Sequence, residues 1–169
     1  MKIENIGFLD SLFKFKVSDE IKSKLKHEDF VSLTEVGLPT KILSNNFIYN
    51  KQIVEDNNGS IILGHNSHVK EWQLKINIED SSIFCSGKGN LTDEVYWFYN
   101  SSITALLLSL LTYDFYLRKL IINKYLGEYP TSHGKYANLL TELLANIDNV
   151  ATEKGVWFSL IDEMKLGVI

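Results

Sequence analysis

Four groups of side chains in this sequence have the types and spacing to do chemistry: two histidines, one cysteine, a glycine–lysine turn and three pairs of neighbouring acids. In HNSH, His65 and His68 lie three apart, which offers two metal ligands on a helix or turn but puts them on opposite faces of a strand. No Cys pair or Glu-x-x-His supplies a third ligand nearby, so they read as solvated loop histidines, and no metal or cofactor is expected. Cys85, in IFCSG, becomes a nucleophile only where a base such as His65, His68 or His133 meets it in the fold. Between Phe84 and Ser86 on a strand it reads as a small buried side chain. GKGN, residues 87–90, lacks both phosphate-loop spacings and reads as a turn. The pairs Glu55/Asp56, Glu79/Asp80 and Asp93/Glu94 flank turns. General acid–base work needs carboxylates held across a cleft, which spacing does not reveal. They read first as solvated strand ends, and otherwise as an acidic rim facing a basic protein. No catalytic set emerges, and the chain is not expected to be an enzyme.

These groups sit in a chain of 169 residues with 45% apolar residues, enough for one core, and residues 1–169 read as a single domain. A net charge of −4 argues against capture of DNA or RNA, which requires clustered positive charge. One cysteine excludes an internal disulfide and suits a reducing cytosol. The stretch MKIENIGFLDSLFKFK lacks the apolar core of a signal peptide, so the matches to N-x-S/T at Asn58, Asn90 and Asn100 are taken as chance and the expected location is cytoplasmic.

The elements that must position these residues follow from periodicity. Ile21, Leu25 and Glu28 fall at helical spacing, and Gly37-Leu38-Pro39 then breaks the chain, because Pro39 fixes its own φ and drives Leu38 out of the helical region. FIYN (47–50) reads as a short strand, and DNNGS (56–60) as the turn of a hairpin into IILGH. In WQLKINIED the residues Trp72, Leu74, Ile76 and Ile78 share one side, with Glu71, Gln73, Lys75, Asn77 and Glu79 on the other, the period of two of a half-buried strand. SIFCS and EVYWFYN follow after short turns, which predicts an antiparallel meander.

The run EVYWFYNSSITALLLSLLTYDF, residues 94–115, carries no charge over its middle, but polar residues interrupt it and its period changes at Asn100. It therefore reads as a strand turning into a helix, and no membrane span is expected. In the strand Val95, Trp97 and Tyr99 point one way and Tyr96 and Phe98 the other. Aromatic on both faces, it reads as a central strand, or as one with an aromatic face free for a partner. In the helix Ile103, Leu106, Leu107, Leu110, Leu117 and Ile121 form the apolar stripe, widened by Leu108, Leu111 and Phe115. Ser102, Ser109, Thr112, Tyr116, Lys119 and Asn123 form a narrow polar face. Ser101 or Ser102 caps its start, and Gly127 and Pro130 stop it. A second helix is predicted over about 136–147 with Leu139, Leu140, Leu143 and Leu144, and a last element carries Trp157, Leu160, Ile161 and Met164.

In order and spacing, LTEVGLP, the strands IIL and KINIED, WFYNSSITALLLSLLTYDFY and the tail VWFSLIDEMKLGVI resemble the SUKH superfamily, within it the fourth of its immunity-protein branches. The resemblance runs from about Leu33 to the C-terminus. EDSSIFC stands where a "tG-V" element is often found, which leaves strand register open there. The resemblance implies an α+β fold, a curved, mainly antiparallel sheet flanked by helices with a long helix after the last aromatic strand. It also implies a structural role for Gly37, Leu38, Pro39, Asn100 and Ser102. The function it implies is non-enzymatic: binding and blocking a cognate bacterial toxin, such as a nuclease or deaminase. The resemblance carries over no toxin-contact residue; the contacts expected from the sheet's exposed face are Glu71, Gln73, Lys75 and Glu79 with Tyr96 or Phe98 as anchors, and no nucleic acid or membrane partner is expected. Alternatives are a SUKH-like regulatory or scaffold module, and a small enzyme using Cys85 with a histidine. The oligomeric state is not legible.

Overall fold

The computed structural model describes residues 12–40, 47–88, 94–125 and 129–168. They form an α+β fold with a two-stranded and a five-stranded antiparallel sheet and a long helix after the strands. The strands are β1 (Leu12–Phe13), β2 (Leu38–Pro39), β3 (Phe47–Glu55), β4 (Ser60–Asn66), β5 (Gln73–Asn77), β6 (Ile83–Lys88) and β7 (Glu94–Asn100). The helices are α1 (Asp19–Lys22), α2 (His27–Val31), α3 (Ile103–Tyr125), α4 (Tyr129–Lys154) and α5 (Val156–Lys165). The larger sheet runs in the order β3-β4-β5-β6-β7, the expected meander.

Gly37 acts as the expected breaker. Its φ of 91° ends a π-helical turn over Ser32–Val36, and a Cβ there would lie 2.5 Å from the Phe13 carbonyl oxygen. That approach lets β2 pair with β1, Phe13 opposite Leu38. Leu38 is fully buried, and the Tyr49 hydroxyl donates to the Pro39 carbonyl at 3.3 Å, tying the breaker to the main sheet. In the turn after β3, Asp56 accepts from the N–H groups of Asn58 and Ser60 at 2.8 and 2.9 Å. The register left open around EDSSIFC resolves to Lys75 opposite Phe84 and Ile76 opposite Ile83. Register shifts at Tyr49/Val54, Ile62/Gly64 and Ile83/Phe84 bend the strands.

One sheet face, with Ile61, Leu63, Leu74, Ile76 and Ile83, joins Leu106, Leu110, Leu140, Leu144 and Trp157 in the core. The strand containing Tyr96 is not central: β7 is one of the two outer strands. Its aromatic character comes from α5 and the open sheet face touching its opposite sides, with Trp157 against Tyr99 and Phe84 against Tyr96.

The polar face expected along α3 is also placed differently. Ser109 and Asp114 are buried, whereas Leu108, Phe115 and Ile121 are exposed. Polar side chains go inside because partners meet them there: Asn100 donates to Ser109 Oγ at 3.1 Å, and Arg118 Nε donates to Asp114 at 2.7 Å. Ser102, not Ser101, caps α3 by accepting from the Ala105 N–H at 3.1 Å, and Asp29 adds a second acceptor for the Ile103 N–H at 3.2 Å. Gly127 lies outside the described residues, and Pro130 falls in the first turn of α4, where a missing N–H costs nothing. α4 is longer than expected and breaks at Asp148 (φ −160°, ψ 92°). Its Leu140 and Leu144 are buried, but Leu139 and Leu143 are exposed. No helix among the described residues is long and apolar enough to cross a membrane.

Candidate partner-binding face

The sheet face away from the core is built by cross-strand pairing. Lys75, Phe84 and Phe98 form one row across β5, β6 and β7, and Gln73, Ser86 and Tyr96 form the next. The Phe84 and Tyr96 rings lie diagonally, with centroids 5.7 Å apart. An open cleft of about 790 Å³ runs from these rings past Ser60 and Asn77 to Lys24 and Glu55. Tyr96 is 57% exposed, so the aromatic wall faces solvent.

Members of each acid pair, far apart in sequence, come together at this cleft and at the Lys75 ammonium beside it. Glu55 and Glu79 line it. Asp56 binds Lys75 Nζ at 2.9 Å, and Glu94 approaches the same ammonium at 3.9 Å. Asp93 lies outside the described residues. The lysines here are already engaged: Lys24 pairs with Glu55 and Glu20, and Lys26 donates to the Asp80 carbonyl at 3.1 Å. The rim is therefore a set of carboxylates over partly neutralising lysines, a negative field beside the exposed Tyr96 ring.

Local chemistry holds that field. Burial disfavours the Asp56 carboxylate, but the Lys75 ammonium and the N–H groups of Ser60 and Asn58 outweigh it, and its pKa falls below the usual value. A hydrogen bond from Ser82 likewise lowers Asp80 against the effect of burial. The Glu94 carboxylate beside the Tyr96 hydroxyl raises that phenol's pKa above its ordinary value.

Of the residues expected to meet a partner, Gln73, Lys75, Tyr96 and Phe98 share this face. Glu79 sits on its rim, in the turn after β5. Glu71 precedes β5, and its backbone packs beside Gly87. Lys75 is not the exposed contact its alternation predicts: its side chain is 8% exposed, drawn in by Asp56 from the turn between β3 and β4. Cys85 lies on the core side, opposite Leu74 and Trp97, and burial pushes its thiol up to about 11. No hydrogen bond joins it to His65 or His68, which lie in β4 and in the turn beyond, and His133 is buried in α4. No three His, Cys, Asp or Glu side chains among the described residues are grouped to hold a metal.

Asn100 does more than end a strand. Fully buried, it accepts from Trp157 Nε1 at 2.9 Å and donates to Ser109 Oγ at 3.1 Å and to Asp148 Oδ2 at 3.2 Å. Asp148 also accepts from the Ser101 N–H at 2.6 Å, so one polar knot joins the end of β7 to all three long helices. It holds the outer aromatic strand in place, and no short-range signal announces it, because the partners come from distant segments. The chain has no matching family model, and no curated protein or solved structure matches it.

Proposed function

We propose that this protein is a non-enzymatic immunity protein of the SUKH type, which binds a cognate bacterial toxin in the cytoplasm and blocks it by occlusion. The observation that carries this reading is the convergence of Glu55, Asp56, Glu79 and Glu94 around one cleft walled by Phe84, Tyr96 and Phe98. Proteins that act on nucleic acid present basic surfaces to phosphate. A nuclease or deaminase toxin offers the charge this rim complements, and the exposed Tyr96 ring with the half-buried Phe84 and Phe98 rings supplies anchors. Occlusion requires no chemistry from the inhibitor, in keeping with a cysteine that is buried and held protonated.

The test is co-expression with the toxin encoded beside this gene. The expected result is relief of toxicity and a complex that survives purification. A neighbouring toxin that neither binds nor is neutralised would contradict the reading, and capture of a housekeeping protein in its place would favour a regulatory module.

A further inference from the structure

The sheet has two outer strands, and they end differently. β3 is closed at its middle by the N-terminal segment: Lys16 N–H donates to the Lys51 carbonyl at 3.1 Å, and Ile53 N–H donates to the Lys16 carbonyl at 3.4 Å. For β7 the direction of each main-chain group follows from the neighbouring ladder. Asn77 N–H donates to the Ser82 carbonyl at 2.9 Å, so by antiparallel alternation Phe84 and Ser86 turn their groups toward β5, while Cys85 and Gly87 turn theirs toward β7. The partners of Cys85 and Gly87 are Trp97 and Val95. The N–H and C=O of Glu94, Tyr96 and Phe98 therefore point outward.

The Phe98 carbonyl is covered. The corner between α4 and α5 sits on it so closely that a Cβ on Gly155 would lie 2.9 Å from the Phe98 oxygen. The outward main-chain groups of Tyr96 and Glu94 have no partner among the described residues. Beside them a groove of about 460 Å³ runs between Trp97 and α5, floored by Val156 and Leu160, with Lys154 and Glu163 at its rim.

We propose that β7 accepts an extended segment of the partner protein as an added strand along Glu94 to Trp97, with an apolar side chain in the α5 groove and a Lys or Arg beside Glu94. This deepens the reading of the protein as an inhibitor that binds another protein, and rests on it. A second copy fits poorly. A dyad through Tyr96 sets Glu94 of one copy against Phe98 of the other, where the α4–α5 corner already lies. A dyad through Glu94 sets like charges opposite.

Displayed linear peptides selected on the full chain supply the probe. Enriched peptides are expected to carry a basic and an apolar residue and to slow hydrogen exchange of the Tyr96 amide. Tyr96→Pro removes the outward donor, at an edge position where proline is tolerated, and is expected to lower peptide affinity about tenfold, the effect of one lost hydrogen bond. Tyr96→Ala, which keeps that donor, is expected to lower it less. If Tyr96→Pro fails to fold, the exchange measurement on the wild type decides. No enriched peptide, an unprotected Tyr96 amide, or a dimer that already protects it would overturn the proposal. A cognate toxin bound at full strength by folded Tyr96→Pro would overturn it while leaving the inhibitor function standing.

Discussion

Asn100 and Asp56 show what single residues contribute. Asn100→Ala strips partners from Trp157 Nε1, Ser109 and Asp148 at once, inside the protein. The expected loss is about 3 kcal/mol of unfolding free energy, read as a lower urea midpoint with unchanged slope. Asp56 contributes, with Asp80, to the acid limb of stability. Its folded pKa lies below its ordinary 3.8, so the unfolded chain takes up the proton first as pH falls. The stabilisation is present in full above that ordinary value and is lost as pH drops through the folded one. Asp56→Asn is expected to flatten the acid side of the stability curve below about pH 4, measured by urea unfolding across pH, and to leave the neutral-to-basic shape unchanged. Neither role is visible in local sequence: Asp56 reads as a turn former, which it is, and Lys75 reads as exposed until the turn folds back over it.

At the scale of elements, the strands and turns were legible because each is decided within a few residues: alternation around Leu74 and Ile76, turn chemistry at Asp56 and Gly59, a breaker at Gly37. Gly37→Ala tests the breaker. It forces a side chain into a positive φ and against the Phe13 carbonyl, and is expected to cost roughly 2 kcal/mol or more and to release β1 from β2. Hydrogen exchange at Phe13 and Leu38 reports that release. What was not legible depends on long-range neighbours. Whether an apolar strand is central or outer follows from what comes next in space, so the aromatic alternation of β7 fitted both. The faces of α3 were misplaced for the same reason, since Ser109 is drawn inward by Asn100 and Asp114 forms an ion pair with Arg118. The break in α4 has no Gly or Pro to mark it: Asp148 leaves helical geometry to bind the Ser101 N–H.

For the whole molecule, a meander sheet presents one face to three helices and leaves the other bearing acids and aromatic rings. Charge complementarity of this kind governs association rate more than final affinity, so binding of a basic toxin is expected to slow as ionic strength rises. The rings are expected to slow dissociation of the proposed complex. The most direct measurement of the central claim compares toxin binding and relief of toxicity for the wild type and for Glu79→Lys combined with Tyr96→Ala, two changes on exposed side chains. The account predicts a tight wild-type complex, a double variant that folds as stably but binds about 30-fold or more weakly, and a matching loss of protection. A double variant that binds and protects like the wild type would contradict it.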